Sequence, residues 1–368
     1  MGGYGNFGAR ICRALRDDAD IELVVAGRDG TRARLLAVEL DCGASHASID
    51  VTEAGLAHRL RELGAELVIH TAGPFQQQDY AVPLAVAAAG AHYIDLADGR
   101  RFVCDFRQAA DTAFSHCGRV AISGASTVPA LSSAVIEHLA ANWQRIDAVD
   151  VCIAPAQTAP RGIATMSAVL HYCGAPIQVW RNGRWTTCHG WAAPESVTFK
   201  RLRPRIGALC DIPDLELFPQ RYPGIQDVMF RAALEIGITQ HALSLMALLR
   251  RAGVIRRPER FAGFFNNTAK LMDRFGSALG GMVVRVRGVD QDGKEIRRAW
   301  HIAADDDHGP EIPCMAAILL ARRIAGTGID ATGAHPCMGW LTLADFESEF
   351  AKWSMTTDCM EEGSAHAT

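Results

Sequence analysis

Apolar positions over the first 130 residues follow two alternating periods. Short apolar runs bounded by Gly, Asp or polar residues read as buried strands at Ile21–Ala26, Ala47–Asp50, Glu66–His70, His92–Leu96 and Arg119–Ser123. Between them the spacing lengthens to three and four, which predicts helices over Thr31–Leu40, Glu53–Leu63, Asp79–Ala89 and Phe102–Cys117. Ahead of the first run, Phe7, Ile11 and Leu15 recur four apart, giving an apolar stripe suited to lie on a sheet. Strict strand–helix alternation predicts an α/β fold with a doubly wound parallel sheet.

The pattern then changes. A helix at Leu131–Trp143 and a strand at Ala148–Ala154 lead to a helix near Ile163–Cys173. Gln178–His189 reads as a hairpin turned by Asn182-Gly183, a strong two-residue turn signal. Ser196–Leu209 continues as extended chain, and two helical stretches, Thr239–Ala252 and Pro258–Phe275, precede a second hairpin of Met282–Val289 with Glu295–Ala303. This middle stretch predicts an inserted α+β domain with a largely antiparallel sheet. The basic run Arg250, Arg251, Arg256, Arg257 and Arg260 reads as a solvated helix face. Apolar helices follow at Ile312–Ala325 and Leu343–Trp353. The expected division is 1–130 for the doubly wound domain, 131–308 for the insert, 309–355 for helices returning to the first domain, and 356–368 for a disordered tail.

Chemistry enters at the start. Gly3, Gly5 and Gly8 form a Gly-x-Gly-x-x-Gly run, the dinucleotide-binding pattern of a tight turn, close approach to a pyrophosphate and tight helix–strand packing. The backbone of Asn6 and Phe7 at the opening helix offers N–H groups and a positive dipole end to phosphates. In this fold a strand precedes that loop, yet only Met1 and Gly2 stand before it, so the mid-sheet strand is expected to be missing, through a late start or a clipped chain. At the close of the second strand Arg28 and Arg32 favour the 2′-phosphate of NADP, while Asp29 keeps NAD open as its ribose acceptor. Asp50 and Val51 close the third strand, where the acid either accepts from the adenine amino group or caps the next helix. Thr71, Ala72, Gly73 and Pro74 are small enough to let the backbone pass beside the nicotinamide half. His70 reads as a core histidine. Candidate acid/base groups are Asp98 after the fifth strand and Asp211 in Cys210-Asp-Ile-Pro213, with His189 a weaker third; each also reads as a turn or cap residue.

Composition narrows the partners. The 368 residues suffice for two domains, with 49% hydrophobic and 21% charged residues. A net charge of −4 argues against nucleic acid. Eleven cysteines with no Cys-x-x-Cys pair read as reduced thiols in a cytoplasmic protein, with no metal site. No apolar run reaches the roughly 18 residues that span a bilayer, so no membrane partner is expected. None of the five tyrosines has a lysine four residues on, which removes the Tyr-x-x-x-Lys pair of short-chain reductases.

Gly3-Tyr-Gly-Asn-Phe-Gly8, His70-Thr-Ala-Gly-Pro-Phe75, Tyr93-Ile-Asp-Leu-Ala-Asp98 and Gly124-Ala-Ser-Thr-Val-Pro129 together resemble the saccharopine dehydrogenase-like oxidoreductases, and Gly309-Pro-Glu-Ile-Pro313 resembles that family's return segment. The resemblance implies a Rossmann domain for NAD(P), an inserted domain that shapes the substrate pocket and often a homodimer, and hydride transfer at a carbon–nitrogen bond of a small-molecule substrate. Two departures stand out. The family's Gly-x-Asp-Pro-Gly acid is absent from Gly124–Pro129, and its lysine is absent from Asp79–Ala89 in a chain with only four lysines. Saccharopine itself is therefore not the expected substrate. A non-catalytic nucleotide-sensing or scaffold protein is the alternative.

Overall fold

In the computed structural model, which describes residues 1–160 and 163–362, the glycine run leads straight into helix α1 (Asn6–Leu15). Ile11 and Leu15 of the expected stripe are buried, while Phe7 is half-buried. There follow β1 (Val24–Gly27), α2 (Gly30–Leu40), β2 (Ser45–Ser48), α3 (Leu56–Glu62), β3 (Leu67–His70), α4 (Ala81–Ala89) and β4 (His92–Asp95). The helix expected over Phe102–Cys117 is two, α5 (Arg100–Cys104) and α6 (Phe106–His116), broken at Asp105; β5 (Val120–Ser123) ends the series. β1, β3, β4 and β5 are short, largely apolar runs between polar turns, as a sheet covered on both faces requires, whereas β2 (Ser-His-Ala-Ser) is mostly exposed.

The next stretch runs α7 (Ser132–Leu139), β6 (Arg145–Ala154), α8 (Ile163–Tyr172), β7 (Pro176–Arg181), β8 (Arg184–His189), β9 (Glu195–Val197) and β10 (Arg205–Leu209). The β7–β8 turn has φ of 50° at Asn182 and 70° at Gly183, the left-handed pair that Asn-Gly supplies cheaply. Helix α9 (Asp214–Arg221) and strand β11 (Asp227–Ala233) were not expected. Pro219 inside α9 disguised the helix, and Arg231 interrupted the apolar reading of β11. Helices α10 (Gly237–Arg251) and α11 (Ala262–Met272) precede the long hairpin β12 (Gly280–Val289) and β13 (Glu295–Ala304). The chain ends with α12 (Ile312–Ala325), β14 (Gly333–Pro336), α13 (Leu343–Lys352) and β15 (Thr356–Glu361).

Two units result: Met1–Leu131 with Glu311–Leu341, and Ser132–Pro310 with the segment from Thr342. In the first, β3, β4, β5 and β14 make a parallel four-stranded sheet, and β1 with β2 a separate parallel pair. Met1–Gly3 bridges them: the Met1 amino group donates to Ile69 O (2.7 Å), Thr71 N to Met1 O (2.9 Å), and Gly3 N to Ala26 O (2.9 Å). Behind this stub a cavity of about 570 Å³ is lined by Ile11, Leu15, Val24, Val68, Ile69 and Ile324 among others. Helices α1, α2 and α12 form one packed group and α3, α4 and α6 another. An Arg10–Glu311 ion pair ties α1 to the chain just ahead of α12.

The second unit is built on a mixed nine-stranded sheet ordered β15-β13-β12-β6-β11-β10-β9, with β7 on β11 and β8 on β7. Its pairings are antiparallel except β6 with β11. Two expectations about the C-terminus are corrected. Residues Thr356–Glu361, expected as disordered tail, pair with β13 as an edge strand, because Thr356, Thr357 and Cys359 suit a pleated edge. The rest of that expected tail, 363–368, lies outside the described residues. Helix α13, expected to return to the first domain, belongs to the second unit, where it packs on α7 and stacks Phe350 beside Trp300 at 6.1 Å.

Candidate functional site

The carboxyl ends of a parallel sheet are where an open α/β fold binds ligands, and the first unit gathers its small-residue loops there. Gly8 shows why the glycine run is needed. A Cβ on it would stand 2.2 Å from Gly2 O and 2.8 Å from Gly3 Cα, so only glycine lets α1 pack against the entering chain. Gly5 occupies the N-cap of α1 with no side-chain cap. The positive end of the α1 dipole and the helix's first N–H groups are thus gathered at this turn. The Thr71 hydroxyl lies 3.1 Å from both Met1 O and Gly2 O, tying the glycine run to the loop after β3.

At the end of β1, Asp29 is consumed as the N-cap of α2, its Oδ1 accepting from Thr31 N (3.0 Å) and Arg32 N (3.1 Å). Arg28 and Arg32 are exposed. A residue missed in the sequence, Tyr4, organises this corner. Its hydroxyl accepts from Asp29 N (2.8 Å), its ring covers Gly27, and the Arg32 guanidinium sits 4.6 Å above its centroid. Asp50 closes a turn on Thr52, accepting from its N–H (3.0 Å) and hydroxyl (2.8 Å), which lowers its pKa. It does not cap α3, which starts only at Leu56; Val51 beside it is half-buried. Ala72 O and Pro74 O accept from Gln78 Nε2 at 2.7 and 3.2 Å, and Gly73 and Pro74 are exposed.

Beneath these loops lies a buried polar network. His70 Nδ1 is 3.0 Å from the Tyr93 hydroxyl, and burial pushes the imidazole down to about 3, so it is a neutral core histidine. Asp95 Oδ1 accepts from Ala97 N (2.9 Å), Gly124 N (2.8 Å) and Ser123 Oγ (3.0 Å), fixing the loops after β4 and β5 to each other. Burial raises its pKa to about 6 against those three donors. Asp98 sits on the loop after β4, where its Oδ1 accepts from Gln76 Nε2 (3.0 Å). The residue reaches solvent, but packing around the carboxyl group withdraws water from it and raises its pKa.

The remaining candidates belong to the second unit. Asp211 and His189 are both half-buried. Three residues on, and unnoticed in the sequence, Asp214 begins α9 fully buried with its Oδ2 2.6 Å from Ser132 Oγ and its Oδ1 unpartnered. Burial lifts it to about 7 against that hydrogen bond. Among the described residues no group of three His, Cys, Asp or Glu is placed to hold a metal, and no helix is long and apolar enough to cross a membrane.

Comparison with known proteins bears on this geometry. Residues 1–144 match the saccharopine dehydrogenase NADP binding domain. Residues 1–144 thus carry an NADP binding domain of the saccharopine dehydrogenase-like family. The chain is similar in fold to apo saccharopine dehydrogenase (L-Glu forming) from Saccharomyces cerevisiae, at TM-score 0.69 and 12% identity over 98% of each chain. It is also similar to homospermidine synthase from Legionella pneumophila in complex with NAD, at TM-score 0.62 and 10% identity over 98% of this chain and 90% of that one. At such identities the likeness is one of fold. No curated protein matches the sequence. The α/β class with a Rossmann-type parallel sheet and a second mixed unit is thus established, and with it a nicotinamide dinucleotide domain of oxidoreductase type.

Proposed function

We propose that the protein is an NADP-preferring oxidoreductase acting at the carbon–nitrogen bond of an amine-bearing small molecule. The observation that carries the reading is the Gly3–Gly8 turn packed against α1 within a family NADP-binding domain. The residues fit a dinucleotide. Gly3, Gly5, Asn6, Phe7 and Gly8 would hold the pyrophosphate at the start of α1, Asp50 and Val51 would flank the adenine, and Thr71–Pro74 would line the nicotinamide half. When bound, the cofactor supplies or takes up hydride.

Asp29 spends one carboxylate oxygen, Oδ1, on capping α2, and Arg28 and Arg32 stand exposed beside it, which supports NADP over NAD. An Arg–phosphate pair contributes roughly 1.5–3 kcal/mol, about ten- to a hundredfold in affinity. Fluorescence titration should therefore give NADPH the tighter binding, and Arg28→Ala should remove most of the preference. Equal affinities for NADPH and NADH in the parent protein would overturn the assignment.

Asp98 is the proton-transfer residue we favour. It lies on the loop after β4, its pKa is raised, and general acid/base work is best served by a carboxyl group shifted toward neutral pH. A second reading, a dinucleotide sensor without turnover, is favoured by the absence of an acid from Gly124–Pro129. Both readings include cofactor binding, so turnover separates them. NADPH oxidation with imine-forming pairs of amines and 2-oxo acids, read by absorbance, supports the enzyme; binding with no turnover across that set supports the sensor.

A further inference from the structure

Twelve large apolar side chains are exposed among the described residues, and eight of them fall between Ile238 and Phe275. On α10, Ile238, Leu245 and Leu248 are 69%, 56% and 57% exposed, spaced seven and three apart on one helical face. On α11 and its flanks, Phe261, Phe264, Leu271 and Phe275 are 43–68% exposed at spacings of three, seven and four. Two helices of one unit thus keep their inner stripes buried through Leu243, Met246 and Asn266 and carry a second apolar stripe outward. Both pack around α8: α11 lies against it, and Arg250 of α10 donates to His171 O and Cys173 O at its end.

Charge decides what such a face meets. Residues 237–275 hold seven Lys and Arg against two acids, a net +5 in a chain whose total is −4. Arg251, Arg256, Arg257, Arg260 and Lys270 are exposed, and Arg274 lies 4.7 Å over the Phe275 ring. Of the two acids, Asp273 accepts from Gln157 Nε2 (3.0 Å) and Glu259 is half-buried, and with both counted the face stays strongly basic. A second copy seated face to face would set one basic field against another. Large apolar side chains beside arginines on an unpartnered helix pair are instead the signature of a surface that lies in an anionic lipid interface.

We propose that the α10–α11 face docks the protein on anionic membrane surfaces. The apolar side chains enter the acyl boundary and the arginines sit among the headgroups. The test is co-sedimentation of the full chain with vesicles of phosphatidylcholine alone or with about 30 mol % phosphatidylglycerol. The anionic vesicles should bind at least tenfold more protein, and about 0.5 M NaCl should remove most of that excess. Phe264→Asp with Leu271→Asp, and separately Arg256→Glu with Arg257→Glu, should each cut binding tenfold while leaving the melting temperature unchanged. Leu84→Asp, an exposed apolar position outside the face, should bind as the parent does. Equal binding to both vesicles, binding to neither, or self-association that the Phe264 and Leu271 changes abolish without any lipid binding would each overturn the proposal. Retention on polyglutamate without vesicle binding would assign an acidic protein instead and overturn it equally.

Discussion

Extending the chain by five β-branched residues ahead of Met1 should stabilise the first unit, and the structure sets the scale. Met1–Gly3 joins the β1–β2 pair to the four-stranded sheet, and about 570 Å³ of cavity lies behind that stub. Four apolar side chains placed there would contribute roughly 6–12 kcal/mol by burial. Eight or so ladder hydrogen bonds to β1 and β3 would add on the order of 4–12 kcal/mol net. Ordering five residues, backbone and side chain, costs about 8–13 kcal/mol. At the midpoints the balance favours the strand by about 6 kcal/mol, or roughly 12–25 °C in melting temperature for a unit of this size. A second term has its own signature. The Met1 amino group is enclosed, and burial holds its pKa below the usual 8.0. The unfolded chain therefore binds the extra proton between the folded-state pKa and 8.0, so this group makes stability rise with pH across that window and adds no slope above or below it. The extension replaces the amine with a peptide N–H and should flatten that slope. The assay is thermal melting from pH 6 to 9 of the parent, the β-branched extension and a Gly/Ser extension of equal length. Were the β-branched form to melt no higher than the Gly/Ser form, or to keep the parent's pH slope, the slot would not be a strand site.

Other outcomes follow from single positions. Gly8→Ala must push its Cβ away from Gly2 O, so the melting temperature should fall by the equivalent of about 1–3 kcal/mol and NADPH binding should be lost with it; a variant that melts and binds as the parent does would refute the close-packing argument. Asp98→Asn should lower kcat by roughly 10²–10⁴ on whichever substrate turns over while leaving NADPH affinity unchanged, and an unchanged kcat would remove Asp98 from the chemistry. The second unit's sheet ends on β15 at one edge, and pairing that edge across a two-fold axis should make the protein a homodimer by sedimentation at micromolar concentration. A monomer there would reject it.

Much of the first unit was legible in the sequence because β1, β3, β4 and β5 are brief apolar runs between turn residues, whereas β14 (Gly-Ala-His-Pro) has no such run and was not expected. Boundaries drifted by a few residues where polar side chains could serve either state, as at Asp50, which closes a turn on Thr52 and leaves α3 to begin at Leu56. The second unit was harder. β11 carries Arg231 inside an otherwise apolar strand, and only the fold reveals its ion-pair partner Asp150 at 2.8 Å on the neighbouring strand β6. The site was half legible. Glycines and strand-end arginines announce themselves by residue type, whereas Tyr4 matters through stacking and Asp214 through depth of burial, and neither property has a local pattern. Asp29 illustrates the converse: as a residue type it suggested a ribose acceptor, and its geometry makes it a helix cap.

The first unit is discontinuous in the chain, and that has a consequence for its synthesis. The ribosome completes Met1–Leu131 long before Gly333–Pro336, the strand that pairs with β5. At roughly 5–20 residues per second, translating the intervening stretch takes about 10–40 s. During that interval the β5 edge stands open, and α1 lacks the α12 helix that packs against it. The nascent unit is thus an unfinished template for edge pairing while Ser132–Pro310 of the second unit emerges. Its vulnerable period is set by the length of the insertion, and any device that delays the emergence of β14 lengthens it.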